Sequence, residues 1–225
     1  MQKLNRIISL LRKEYGESRI KNVKGPLEEL VLTLLSQNTT DKNSRRAYEN
    51  LMRLGPIGRL LNMPERKIAR AIKVGGLNNI KAHRIKEILG EIEKRTSGLG
   101  LSFLRRKSTA AVLEFLRSLK GVGPKTAACV ALFSLKKPVM PVDTHILRIS
   151  KRLGLIPENT SLSKAHELLG EFVPVDKNLI LSFHINMIRH GRQICHARNP
   201  ECERCILRGS CNYCRLICGN KRRCN

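Results

Sequence analysis

Apolar residues recur along this chain with the period of an α-helix almost from end to end, and no segment alternates with period two for long enough to build a sheet. Leu4, Ile7, Ile8 and Leu11 form one stripe, and Leu27, Leu30, Val31, Leu34 and Leu35 form the next. Pro26 stands where a helix begins, because the N–H it lacks has no intrahelical partner there. Pro64 plays the same part ahead of Ile68, Ala71 and Ile72, and Gly75-Gly76 stop that helix. Further helices are predicted over 80–95, 109–119, 124–135, 144–153, 163–172 and 177–193, with Thr96 to Lys107 as the longest connection. The expected fold class is all-α, a bundle of short helices. The chain has 225 residues, 41% of them hydrophobic, which allows one large domain or two small ones. With no Trp and 4% aromatics, its core must be mainly Leu, Ile and Val.

Charge narrows the partners. Lys and Arg number 43 against 18 Asp and Glu, a formal net charge of +25. Such a protein attracts polyanions, of which nucleic acid is the commonest, although a solvated basic face has the same composition. Charges interrupt Met1 to Gly16 within every turn, and no run of about 18 apolar residues occurs, so neither a signal peptide nor a membrane span is expected. We expect an intracellular, monomeric protein of a prokaryotic cytoplasm or nucleoid. Of the eight cysteines, Cys129 stands alone on an apolar helix face, and the other seven lie between 195 and 224. In an intracellular protein such a crowd reads as a metal site before it reads as disulfides.

Two segments carry chemistry. Leu119-Lys120-Gly121-Val122-Gly123-Pro124-Lys125-Thr126 lies between two helical patterns. Gly121 and Gly123 let the chain reverse sharply, and Pro124 starts the second helix, whose first N–H groups and dipole favour a phosphate oxygen. No base is read by such a contact. On position alone Lys125 is either a point charge on a phosphate or a nucleophilic amine, and Asp143, ahead of Ile146, Leu147, Ile149 and Leu153, is a natural N-cap. Cys195, Cys202, Cys205 and Cys211 form C-x6-C-x2-C-x5-C, a spacing that leaves zinc and an iron–sulfur cluster both open.

Leu119 to Ala127, followed by Pro141-Val142-Asp143-Thr144-His145 and then by the cysteine run, resembles the helix-hairpin-helix Gly/Pro-rich-plus-Asp signature of the endonuclease III family of DNA glycosylases, over about residue 20 to Cys211. Lys120, where the family usually has Pro, and Pro124, often Arg, depart from the pattern and imply changed rigidity and charge at the turn. The resemblance implies a six-helix barrel-like domain with the hairpin over residues 20–135, an iron–sulfur cluster domain from 1–19 with 136–225, and a DNA cleft between them. It implies a glycosylase with abasic-site lyase activity that removes damaged, chiefly oxidised, pyrimidines from double-stranded DNA. The alternatives are a thymine or uracil mismatch glycosylase of the same superfamily and a non-catalytic DNA-binding protein.

In that family the residue matching Lys125 attacks the sugar C1′ and the one matching Asp143 assists; monofunctional members lack the lysine. Both residue types suit the reaction. Breaking a glycosidic bond builds positive charge on the sugar, which a carboxylate stabilises, and a neutral amine displaces the base to form a Schiff base. The four-cysteine run matches the family's 4Fe–4S loop, ringed here by Arg192, His196, Arg198, Arg204 and Arg208, while Cys214, Cys218 and Cys224 lie outside the pattern. A base must leave the duplex to be excised, and something must fill the gap. Leu77 matches the family's wedge, the other reading being a Leu folded onto the core. Asn38, in Gln37-Asn38-Thr39-Thr40-Asp41, matches the position of its second gap-filling residue, where other members carry Gln. Gly121, Val122, Gly123 and Thr126 of the hairpin, with Lys81 and Arg84 on the helix after the wedge, are expected to contact DNA. His145 is either a pocket residue or a structural histidine.

Overall fold

A computed structural model describes residues 2–19, 23–172 and 176–219, with the backbone alone at 172, 218 and 219. The described residues form eleven α-helices and no strand: α1 (Gln2–Tyr15), α2 (Pro26–Leu35), α3 (Asp41–Met52), α4 (Glu65–Ala71), α5 (Asn78–Thr96), α6 (Thr109–Ser118), α7 (Pro124–Phe133), α8 (Thr144–Leu153), α9 (Leu162–Phe172), α10 (Lys177–Gln193) and α11 (Asn212–Gly219). None is long and apolar enough to cross a membrane. The chain divides into two compact units, Asn22–Lys137 and Met1–Lys21 with Pro138–Asn225.

The Asn22–Lys137 unit holds α2 to α7. Pro26 occupies the first turn of α2, and the Glu28 carboxylate accepts the Gly25 N–H at 3.1 Å, so that helix starts as its residues dictate. The segment α7 is apolar on every side: Thr126 through Leu132 are all buried, and its three alanines let α2 and α6 pack close against it. A helix of this kind has no solvent face beyond its ends, so its N-terminal turn is where it meets the surface. The Thr96–Lys107 connection contains a single 3-10 turn, Ser102–Arg106.

The other unit gathers α1, α8, α9, α10 and α11. The first stripe does what its spacing promises: Leu4, Ile7, Ile8 and Leu11 are buried, and α1 packs on α10. Asp176 caps α10 by accepting the N–H groups of Asn178 at 2.7 Å and Leu179 at 3.3 Å. The end of α8 is set by Gly154 at φ 66°, a left-handed conformation that costs glycine little. From α10 the chain runs through two 3-10 turns, Cys202–Arg204 and Arg208–Ser210, into α11.

Candidate active-site residues and metal centre

The hairpin between α6 and α7 turns on Gly121, at φ 85°. That backbone conformation demands glycine, and a Cβ there would come within 2.7 Å of the Arg84 Nε and push the arginine aside. Arg84 of α5 is thereby held against the hairpin, together with the exposed Gly121 and Gly123 that were expected to face a phosphate. Gly123 caps α7 with no side-chain hydrogen bond, and the N-terminal turn of a helix is suited to an anion. Lys120 makes two contacts that a proline in its place could not make. Its ammonium pairs with Glu87 at 2.9 Å and its N–H donates to Glu91 at 3.2 Å, tying the turn to α5 and neutralising one of its charges. One hairpin expectation is corrected, and a second is narrowed to the backbone. Val122 offers DNA neither side chain nor amide: it is buried, and its N–H donates to Leu119 O at 3.0 Å. Thr126 turns its hydroxyl inward to accept from Gln37 Nε2 at 3.4 Å, so only its backbone sits in the exposed turn.

Lys125 is the second residue of α7 and half-buried. Its charge is felt by Glu29 on α2, a neighbour that no motif or spacing singles out. Burial raises the Glu29 carboxyl above the ordinary range, against the opposing pull of a Thr33 hydrogen bond and of the Lys24 and Lys125 charges. Glu29, Thr33 and Gln37 recur every fourth residue, a polar line along α2 and just past its end, and Gln37 bonds to α7. Asp143, in the other unit, is the N-cap of α8, its Oδ1 accepting the Ile146 N–H at 2.9 Å. That bond fixes the carboxylate and leaves further lone pairs on a half-buried group.

Both expected gap-filling residues stand in strained backbone. Asn38 is at φ 52° and Leu77 at φ 49°, left-handed conformations that disfavour Leu in particular. Leu77 is 50% exposed, so it does not fold onto the core. Ile80, three residues on along α5, is 55% exposed and extends the same apolar edge, which sequence periodicity alone did not flag. Lys81 requires a correction. Expected on a phosphate, it is only 5% exposed, and its Nζ donates to Leu35 O at 2.9 Å and Gly75 O at 2.8 Å.

The cysteine loop follows α10. Cys195, Cys202 and Cys205 are half-buried and Cys211 is buried. Burial, with neighbouring thiols adding to it, pushes Cys202 up to about 12; burial likewise pushes Cys205 up to about 11. A metal bound by these thiols displaces their protons. Hydrogen-bond donors converge on the sulfurs: Arg152 Nη1 on Cys195 Sγ at 3.2 Å, the Cys214 N–H on Cys211 Sγ at 3.5 Å, and His190 Nε2 beside Cys205 Sγ at 3.4 Å. Tyr15 OH lies 3.0 Å from His190 Nδ1, and burial lowers His190 to about 4, so the imidazole is neutral. A neutral ring that accepts from Tyr15 donates from Nε2 to sulfur. This donor set fits thiolates bound to iron.

His145 belongs with the frame of that loop. It packs against Gly191, where a Cβ would lie 2.9 Å from its own, and its Nδ1 is 3.0 Å from Arg148 Nη2. Arg148 in turn donates to Gly191 O and Cys195 O, so the structural alternative for His145 has direct geometric support. Cys214 is buried beside Cys202 and Cys211, and Cys129 is buried in α7. The Cys218 side chain and Cys224 lie outside the described residues.

Residues 31–175 match the HhH-GPD superfamily base excision DNA repair protein family, and residues 195–211 match the iron-sulfur binding domain of endonuclease III. Endonuclease III of Thermotoga maritima is 34% identical over 191 residues, covering 84% of each chain. An Arabidopsis thaliana protein described as a DNA glycosylase is 40% identical over 169 residues; they cover 74% of this chain, which spans 56% of the plant protein's length. A solved endonuclease III–DNA complex superposes with a TM-score of 0.81 at 24% identity, over 97% of this chain and 98% of that one. At that identity the likeness speaks of the fold alone.

Proposed function

This chain is an endonuclease III-like member of the HhH-GPD superfamily of base excision DNA repair proteins with a 4Fe–4S cluster, and from that premise we propose that it excises oxidised pyrimidines from double-stranded DNA and then cuts the strand through a Schiff base on Lys125. The observation that carries the reading is the placement of Lys125, half-buried in the first turn of α7, directly behind a glycine hairpin shaped for a phosphate. A backbone held there brings a sugar toward the amine.

Lys125 Nζ attacks C1′ as the glycosidic C–N bond breaks, and the base departs with the bonding pair and a proton. The sugar ring opens to an iminium, and loss of a C2′ proton expels the 3′ phosphate by β-elimination. The Asp143 carboxylate, oriented by its bond to the Ile146 N–H, stabilises the positive charge that develops on the sugar. Leu77 and Asn38 occupy the space left by the extruded base. Cys195, Cys202, Cys205 and Cys211, the cysteines within the matched iron–sulfur stretch, are the proposed cluster ligands. Bound by these four thiolates, a cluster would cross-link a loop that carries Arg198, Arg204 and Arg208 and so order a basic surface.

Duplexes each carrying a single lesion test the reading, with an abasic duplex and duplexes holding T or U opposite G alongside. The wild-type protein is expected to nick the abasic duplex, to be trapped covalently on it by borohydride, and to prefer an oxidised pyrimidine. Lys125→Gln is expected to lose both nicking and trapping. Equal nicking by the Gln variant would sink the lysine mechanism, while preference for T or U opposite G would move the substrate to the mismatch class.

A further inference from the structure

Lys81 is buried, cationic and absent from the chemistry above. Burial lowers its ammonium below the ordinary lysine range, so its place is unfavourable for a charge. An apolar side chain would fill the same space without desolvating an ammonium. What an apolar chain lacks is a set of N–H donors at the end of a long arm, and here two are in use on different turns. One donates to the carbonyl of Leu35, the last residue of α2, two residues ahead of Gln37-Asn38. The other donates to the carbonyl of Gly75, two residues ahead of Leu77. The Leu35 carbonyl is among those a helix leaves without an intrahelical donor, and a cation suits that end of the dipole. The Gly75 seat is tight as well: a Cβ there would lie 3.1 Å from Ala47 Cβ and 4.0 Å from Lys81 Nζ.

The two turns that Lys81 joins each lead into a non-glycine residue in left-handed backbone, Asn38 and Leu77. Strain of this kind persists only where the surroundings over-determine it. We propose that Lys81 is a positioning residue, a buried strut that fixes the Asn38 turn and the Leu77 turn at one separation, so that the two side chains enter the DNA base stack as a unit. The inference rests on the reading of Asn38 and Leu77 as gap-filling residues. It makes their contributions interdependent, which two independent loops would not be.

A double-mutant cycle on the full chain tests it, read by 2-aminopurine fluorescence next to a tetrahydrofuran abasic analogue that cannot be cut. Asn38→Ala, Leu77→Ala and the double variant are titrated on this duplex in the wild-type background and again with Lys81→Met, with thermal unfolding measured for each. In the wild-type background the double variant is expected to depart at least about fivefold from the product of the single effects. With Lys81→Met the departure should fall to within about twofold of unity. Lys81→Gln, with two donors on a shorter arm, gives the same cycle if the Met variant does not fold. A departure that survives loss of the lysine, or single effects that multiply independently from the start, would overturn the strut. If neither single variant alters base unstacking, the gap-filling reading itself falls, which the wild-type background shows before Lys81 is touched.

Discussion

Asp143 has a structural task and a proposed chemical one, and a substitution at this position can separate them. Its Oδ1 caps α8 through the Ile146 N–H, a contact worth about 1 kcal/mol when replaced by Ala. Asn caps as well as Asp but carries no charge. Asp143→Asn is therefore expected to unfold at the wild-type temperature within about a degree, while single-turnover base excision falls by about 10² or more, as for lost electrostatic stabilisation of a transition state. Calorimetry and quenched-flow assays on one preparation check both. A fall in melting temperature with intact excision would leave Asp143 as a cap only. The same doubling of duty explains why a carboxylate ahead of an apolar helical stripe could not be assigned from the stripe alone.

The turn from Gly75 to Asn78 shows the same separation at the scale of an element. Leu77 is half-exposed, so replacing it sacrifices little burial, and its left-handed backbone costs about 1–2 kcal/mol that glycine avoids. Leu77→Gly is expected to leave stability unchanged or to raise it, while excision from a paired lesion falls. Urea unfolding and the lesion-duplex assay check the two signs. A Gly variant that is destabilised by several kcal/mol would mean that the leucine serves the core. At this scale too, α7 explains the hairpin: a helix buried on all sides presents only its N-terminal end, where Lys125 stands directly after the hairpin glycines.

Across the whole molecule, 43 basic residues against 18 acidic ones set the affinity for any polyanion. Binding to an undamaged duplex should be carried by phosphate contacts and counterion release, with a slope of log K on log salt of about −0.9 per phosphate. With six to ten such contacts, affinity should fall by about 10³–10⁵ between about 50 and 200 mM salt, as anisotropy titrations would report. A flat profile would assign the charge to a solvated surface. The salt slope is expected to be steep while the hairpin still contributes no base preference, because backbone amides at a helix terminus meet phosphate and not base edges.

The amino-acid sequence by itself determined most of the helices, and the ends of those with clear caps. The spans 144–153 and 177–193 coincide with α8 and α10, because caps and apolar period are local properties that neighbouring residues fix between them. The helices α3 and α11 escaped that reading: α3 is highly charged, and α11 lies inside the cysteine-rich tail, where apolar spacing is masked. The hairpin and the cysteine loop were legible for the same local reason, since turn and ligand spacing are written consecutively. Tertiary structure alone decided the direction of individual side chains. Lys81 lies beside exposed residues in sequence, yet its arm reaches inward to carbonyls 46 and 6 residues away. Glu29 meets the charge of Lys125 only because α2 packs against α7. Whether a charged side chain solvates or ties two turns together depends on which unsatisfied carbonyls the fold brings within its reach, and no period in the sequence records that.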